Sequence, residues 1–150
     1  MITIITVGKI KEKYLIEGIN EYLKRISKYT KIKIIELEDE SYDINKTLKA
    51  EADKMIKHIN KKSYIIALDI NGNQMNSIDF SNLINNKINL YSEITFIIGG
   101  SYGIDESIKK ISNENLSFSK MTFPHQLFRL IFLEQLYRSF KIINNETYHK

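Results

Sequence analysis

The sequence predicts an α/β fold: a mainly parallel sheet covered by helices on both faces. Three observations lead there. Short β-branched runs alternate with segments of helical periodicity from one end of the chain to the other. No linker, internal repeat or low-complexity tract interrupts the alternation, so the 150 residues read as one domain, 1–150. Apolar residues make up 43%, with seven Phe and nine Tyr, which is enough for a substantial core.

The elements follow in order. Residues 1–7 (MITIITV) read as a buried strand, and 11–28 as a helix with a stripe of Leu15, Ile19, Tyr22, Leu23 and Ile26. Residues 32–38 are a second strand. Residues 43–61 form an amphipathic helix carrying Ile44, Leu48, Ala52, Met55, Ile56 and Ile59, with Asp43 as its N-cap. The third strand, 64–69, is expected to end at the turn signal Asn71-Gly72-Asn73. A helix near 78–90, capped by Ser77, leads to the fourth strand at 93–98. A short helix near 105–112 and a brief strand near 115–118 follow. Pro124 then opens a last helix to about 142, since proline suits a first helical turn.

That last helix is apolar on more than one face: Leu127, Phe128, Leu130, Ile131, Phe132, Leu133, Leu136, Tyr137 and Phe140. Such a helix is either buried all round or lies in a subunit interface. A chain of this length has little room for the first, so a homodimer is expected.

Composition excludes several chemistries. With no Cys there is no disulfide, thiol nucleophile or thiolate zinc site. The three His, at 58, 125 and 149, lack metal-ligand spacing, and no metal is expected. No apolar run is long enough for a membrane helix, and the N-terminus lacks the pattern of a secretory signal. A cytoplasmic protein is expected. Residues 1–62 hold 14 Lys and Arg against 10 Asp and Glu, while 63–150 hold 8 of each, so the net charge of +4 sits in the N-terminal part. That face, including Lys24, Arg25 and Lys28, is either simply solvated or meets an anionic partner.

Ligands of open α/β sheets bind beyond the carboxyl ends of the strands. Three segments should lie there: Leu68-Asp69, Gly99-Gly100-Ser101-Tyr102-Gly103, and Phe118-Ser119-Lys120-Met121-Thr122-Phe123. Half of the six glycines fall in the second segment. It is either a tight strand-to-helix turn or a place where backbone approaches a ligand; it is neither GxGxxG nor a P-loop. The third is either an ordinary connection or a site whose Phe118, Met121 and Phe123 are covered by core, partner or an adenine ring. The tail Tyr148-His149-Lys150 combines an aromatic ring, an imidazole and a cation, although chain ends are commonly frayed. His125 reads as a helix-start hydrogen-bonding residue and His58 as solvated. Arg138 has the spacing for an i, i+4 pair with Glu134.

These segments, in this order, resemble a known family. Ile5-Thr6-Val7-Gly8-Lys9-Ile10-Lys11, Phe96-Ile97-Ile98-Gly99-Gly100-Ser101-Tyr102-Gly103, Leu116 through Gln126, Glu134-Gln135-Leu136-Tyr137-Arg138 and the closing Tyr148-His149-Lys150 are similar to the ribosomal large-subunit pseudouridine N3-methyltransferases, of the SPOUT class of knotted methyltransferases. The resemblance spans the whole chain and implies a C-terminal trefoil knot around residues 95–125. It also implies a homodimer and methylation of a pseudouridine in helix 69 of 23S rRNA on the assembled 70S ribosome. It assigns S-adenosyl-L-methionine to Leu68, Gly99, Gly100, Phe118, Ser119, Lys120, Met121, Thr122 and Phe123. His149 becomes the candidate base, Tyr148 a platform for the target base, Lys150 a contact to phosphate or a developing oxyanion, and Arg138 either a contact to RNA or the target base or simply the partner of Glu134. Two alternatives carry the same fold: a SPOUT-like enzyme acting on another RNA, and a nonenzymatic ribosome-associated RNA-binding dimer. A small-molecule enzyme is disfavoured, because no triad, metal set or phosphate loop is recognisable.

Overall fold

The computed structural model describes all 150 residues. Five strands form one wholly parallel sheet: β1 (Ile2–Val7), β2 (Ile32–Leu37), β3 (Tyr64–Gln74), β4 (Ile94–Ile98) and β5 (Glu114–Ser117). Their order is β2-β1-β4-β3-β5. The helices are α1 (Lys13–Ile26), α2 (Ile44–His58), α3 (Ser77–Leu90), α4 (Glu106–Ile111) and α5 (His125–Ile143). The buried central strands alternate their side chains between two apolar layers. Ile2, Ile4, Ile66, Phe96 and Ile98 face α1, α3 and α5, whereas Ile5, Val7, Ile65, Ala67 and Ile97 face α2 and α4. The larger layer centres on Phe96 and Phe132, both fully buried with ring centroids 4.8 Å apart. Truncating either to alanine would cost roughly 3–5 kcal/mol.

β1 connects through α1 to β2, and β4 connects through α4 towards β5 at the opposite edge. The chain therefore leaves the adjacent carboxyl ends of β1 and β4 in opposite directions, which defines the topological switch point of the sheet.

Four local expectations are corrected. β3 does not end at Asn71-Gly72-Asn73: after an irregularity between Leu68 and Asn73 it resumes pairing with β5 as far as Gln74. Gly72 permits this because a Cβ there would lie 2.6 Å from the Asn115 carbonyl, so two backbones cross in near contact. The cap of α3 is Asn76, whose side chain accepts from the Asp79 amide at 2.8 Å; Ser77 instead donates to Gln135 across to α5. The buried face of α2 is rotated from the expected stripe. Ile44 and Ile56 are exposed while Thr47 and Glu51 are buried beside Ala52 and Met55. Finally, α5 finds its room inside the chain, lying on the sheet between α1 and α3 with seven of its 19 residues buried. Helices on both flanks supply the cover that chain length seemed to deny, so the apolar helix alone does not require a second subunit. The Asp43 cap is as expected, accepting from the Lys46 amide at 2.9 Å.

Candidate active site

Beside Leu68 of β3 and beyond the carboxyl ends of β4 and β5 lies a pocket, open on one side. Its walls come from all three segments singled out in the sequence: Leu68 to Ile70, then Ile98, Gly99, Gly100 and Gly103, then Leu116 to Ser119 with Met121, Thr122 and Phe123. His125 and Phe128, from the first turn of α5, complete it.

The glycine segment is a true close turn. The Gly103 amide donates to the Gly100 carbonyl at 3.1 Å, and Gly103 has φ +85°. A Cβ on Gly99 would sit 2.1 Å from the Gly103 oxygen, so no side chain fits there. Asp105 then caps α4 by accepting from the Ser107 amide at 3.1 Å. On the opposite wall, serines shape the loop: Ser117 Oγ donates to the Ser119 carbonyl at 2.9 Å, and Ser119 Oγ accepts from the Met121 amide at 2.9 Å. Phe118 turns into the core against Phe80, Phe128 and Phe132. Phe123 stacks on Phe128. Met121 is 77% exposed at the rim. Lys120 is also exposed and does not line the pocket. Asp69, at the pocket floor, pairs with Lys109 at 3.2 Å. His125 makes no side-chain hydrogen bond, contrary to expectation, and serves only as a wall.

The tail is ordered and docks on the far half of α5. Glu134 gathers it. One of its carboxylate oxygens accepts from the Arg138 guanidinium at 2.5 Å and from the Tyr148 hydroxyl at 3.0 Å. The Tyr148 ring stands edge-on to Tyr137 at 4.9 Å and carries Arg138 over its face, also at 4.9 Å. Burial, then Tyr22 and Glu134, push the Tyr148 phenol above its ordinary pKa. A ring held this way anchors the tail on α5. Arg138 Nη1 lies 3.1 Å from His149 Nδ1. A guanidinium only donates, so Nδ1 is the acceptor in this hydrogen bond. Lys150 is exposed and pairs with no carboxylate. Below the anchor, Glu146 accepts from Tyr29 at 2.7 Å and Lys141 at 2.8 Å, and so fixes the turn that folds the tail back.

Arg138 and the pocket residue Phe128 are ten residues apart on one helix, which is about 15 Å. The structure thus brings together the cofactor-type residues in one place and Arg138, Tyr148 and His149 in another. The expected i, i+4 pair of Arg138 with Glu134 is present, but the sequence did not reveal Glu134 as a hub that also holds Tyr148. Sequence reasoning missed Arg129, which is fully buried beneath the end of β1. There it donates to Gly8 O at 2.9 Å and Thr6 Oγ1 at 3.1 Å and pairs with Glu36 at 2.5 Å. A charge within an otherwise apolar helical stretch was the available signal. Arg25, proposed for a basic docking face, is engaged with Glu21 at 3.0 Å and with the Tyr22 ring. No group of three or more His, Asp or Glu side chains could hold a metal ion, and no helix is long and apolar enough to cross a membrane.

Fold and pocket define an α/β protein with a small-ligand site beyond the ends of its parallel strands. The family model described as "Predicted SPOUT methyltransferase" matches residues 1–149, and the chain belongs to that family. It is 51% identical to the ribosomal RNA large subunit methyltransferase H of Clostridium tetani, over 99% of both chains. It is 47% identical to the protein of the same name from Caldicellulosiruptor saccharolyticus, over the full length of both. Among solved structures it is similar to the tRNA (m1G37) methyltransferase of Aquifex aeolicus, with a TM-score of 0.54 and 15% identity, covering 91% of this chain and 69% of the other. That likeness concerns the fold alone.

Proposed function

We propose that this protein is an S-adenosylmethionine-dependent methyltransferase of large-subunit ribosomal RNA. Its target on this reading is N3 of a pseudouridine in helix 69 of 23S rRNA, within the assembled 70S ribosome in the cytoplasm. The observation that carries the reading is convergence: Leu68, Gly99, Gly100, Phe118, Ser119, Met121, Thr122 and Phe123, eight of the nine residues assigned to the cofactor by resemblance, line one pocket. The names of the full-length relatives supply the substrate class.

The pocket suits the cofactor chemically. Gly99 and Gly100 let backbone approach closely, and Leu116, Phe123 and Phe128 offer apolar walls for an adenine ring. When bound, S-adenosylmethionine supplies an electrophilic methyl group. The protein's task is then mainly positioning, together with removal of the N3 proton. His149 Nδ1 accepts that proton once Arg138 yields its hydrogen bond. Arg138, released, and Lys150 face the phosphate or the base oxygen on which negative charge develops. Tyr148 and Glu134 hold the tail in place.

The separation of about 15 Å along α5 implies that one chain's tail serves another chain's pocket. The active form is accordingly a homodimer. Half-exposed Leu127 and Ile131 on the outer side of α5, and exposed Met121 and Tyr102 at the pocket rim, supply apolar contact surface. A knotted path around residues 95–125 accords with the near contact of backbones at Gly72 and Asn115. Calorimetry with S-adenosylmethionine tests the reading: one cofactor per chain is expected, and absence of binding would sink it.

A further inference from the structure

Glu51 is the one carboxylate in the molecule that is buried and left partly unpaired. It is 4% exposed, on α2, and its Oε1 has no hydrogen-bond partner. Its oxygens lie 3.3 and 3.5 Å from where a Cβ on Gly100 would be. Gly100 is a wall of the pocket, so the carboxylate sits one glycine's thickness behind it. Across the switch point, the Asp39 carboxylate lies 3.0 Å from the equivalent position on Gly8. Both glycines thus give way to acidic side chains at the ends of β1 and β4, where the fold rule places ligands.

The cost of this arrangement shows in the titration of Glu51. Burial first, and then the Asp39 charge, push its carboxyl up to about 7. The groups facing it are few. Asp39 and Glu40 come from the segment after β2, and Lys54, on its own helix, is engaged with Glu40 at 2.5 Å. β1 and the turn after β4 present only Val7, Gly8 and Gly100. The pocket wall adds the Asp69–Lys109 pair and His125. No cation neutralises Glu51 directly.

We propose that the Glu51–Asp39 pair selects the charge of the ligand in the adjacent pocket, favouring positively charged S-adenosylmethionine over its neutral demethylated product. The inference rests on the cofactor reading above. The two ligands differ by one methyl group and one positive charge on sulfur. An anion in a poorly screened position lowers the energy of the cation and leaves the neutral product unaffected. Product release after transfer is thereby favoured. Reciprocity requires that the cation make Glu51 more acidic, so cofactor binding near neutral pH expels a proton that product binding does not.

The test is calorimetry on the full-length protein with S-adenosylmethionine and S-adenosylhomocysteine, at about pH 6 and about pH 8, in two buffers of different ionisation enthalpy. The preference for the charged ligand should rise about fivefold with pH, and protons should be released only with that ligand. Glu51→Gln should abolish both effects, and Asp39→Asn, at an exposed position whose change does not threaten folding, should weaken them. An equal ligand ratio at both pH values, or pH dependence that survives in Glu51→Gln, would overturn the proposal while leaving the cofactor reading standing. Failure of both ligands to bind would overturn both.

Discussion

Replacing Gly99 with alanine strikes the narrowest point of the pocket. The added Cβ would lie 2.1 Å from the Gly103 oxygen, 2.5 Å from its carbonyl carbon and 2.9 Å from Ile104 Cγ1. Ordinary contacts of such atoms are ~3.5 Å, so the Gly103 peptide must retreat by roughly an ångström or more. The obstacle is backbone, which cannot rotate away as a side chain would. Overpacking of this kind costs about 1–3 kcal/mol, a fall in Tm of roughly 2–12 °C for a domain of this size. The displaced turn also carries Gly100 and Gly103, both pocket walls. Cofactor affinity should therefore fall at least about tenfold, or ~1.4 kcal/mol. Gly103→Ala is the informative partner: a Cβ there meets nothing within 4 Å, but φ is +85°, so it is strained without a clash. Thermal melts with and without S-adenosylmethionine, and calorimetry on both variants, provide the assay. Wild-type affinity and an undiminished ligand-induced rise in Tm for Gly99→Ala would refute the claim that this turn forms the cofactor wall.

Three further outcomes are expected. His149→Ala, or removal of residues 148–150, should abolish methyl transfer while cofactor affinity stays within about twofold, because none of the three lines its own chain's pocket; matched turnover and calorimetry check it. Arg129→Met should destabilise the fold by about 2–4 kcal/mol in urea titration, since it strands the Gly8 carbonyl and the Thr6 hydroxyl, although half-exposed Glu36 regains water. Glu51 holds its proton more tightly folded than unfolded. Its stabilising effect is therefore complete below about pH 4.5 and is lost as pH rises to about 7. Glu51→Gln should flatten that part of the stability profile, and parallel melts of both proteins across it would show whether it does.

The layered α/β architecture was legible because β1 to β4 carry β-branched runs and α1 and α2 carry periodic stripes. The sites of ligand binding followed from the strand ends. What the sequence obscured depends on contacts between distant segments. The continuation of β3 past Gly72 reflects pairing with β5, more than 40 residues on, which local turn propensity cannot anticipate. The burial of α5 depends on α1 and α3 closing over it, a property of topology and not of helix composition. Glu51 left a visible trace: it stands at a core-face position of α2, three residues after Leu48 and four before Met55, where a carboxylate has no ordinary reason to be. Glu134 left none, because an i, i+4 partner of Arg138 looks like any surface pair until Tyr148 is seen to share it.

The most direct measurement is transfer of a labelled methyl group from S-adenosylmethionine to 70S ribosomes, isolated large subunits and naked 23S rRNA in parallel, with the modified nucleoside located by mass spectrometry. The account predicts one methyl group on N3 of a pseudouridine in helix 69, on 70S particles alone. Transfer to none of the three substrates by a protein that binds the cofactor, or equal transfer to naked RNA at other positions, would contradict it.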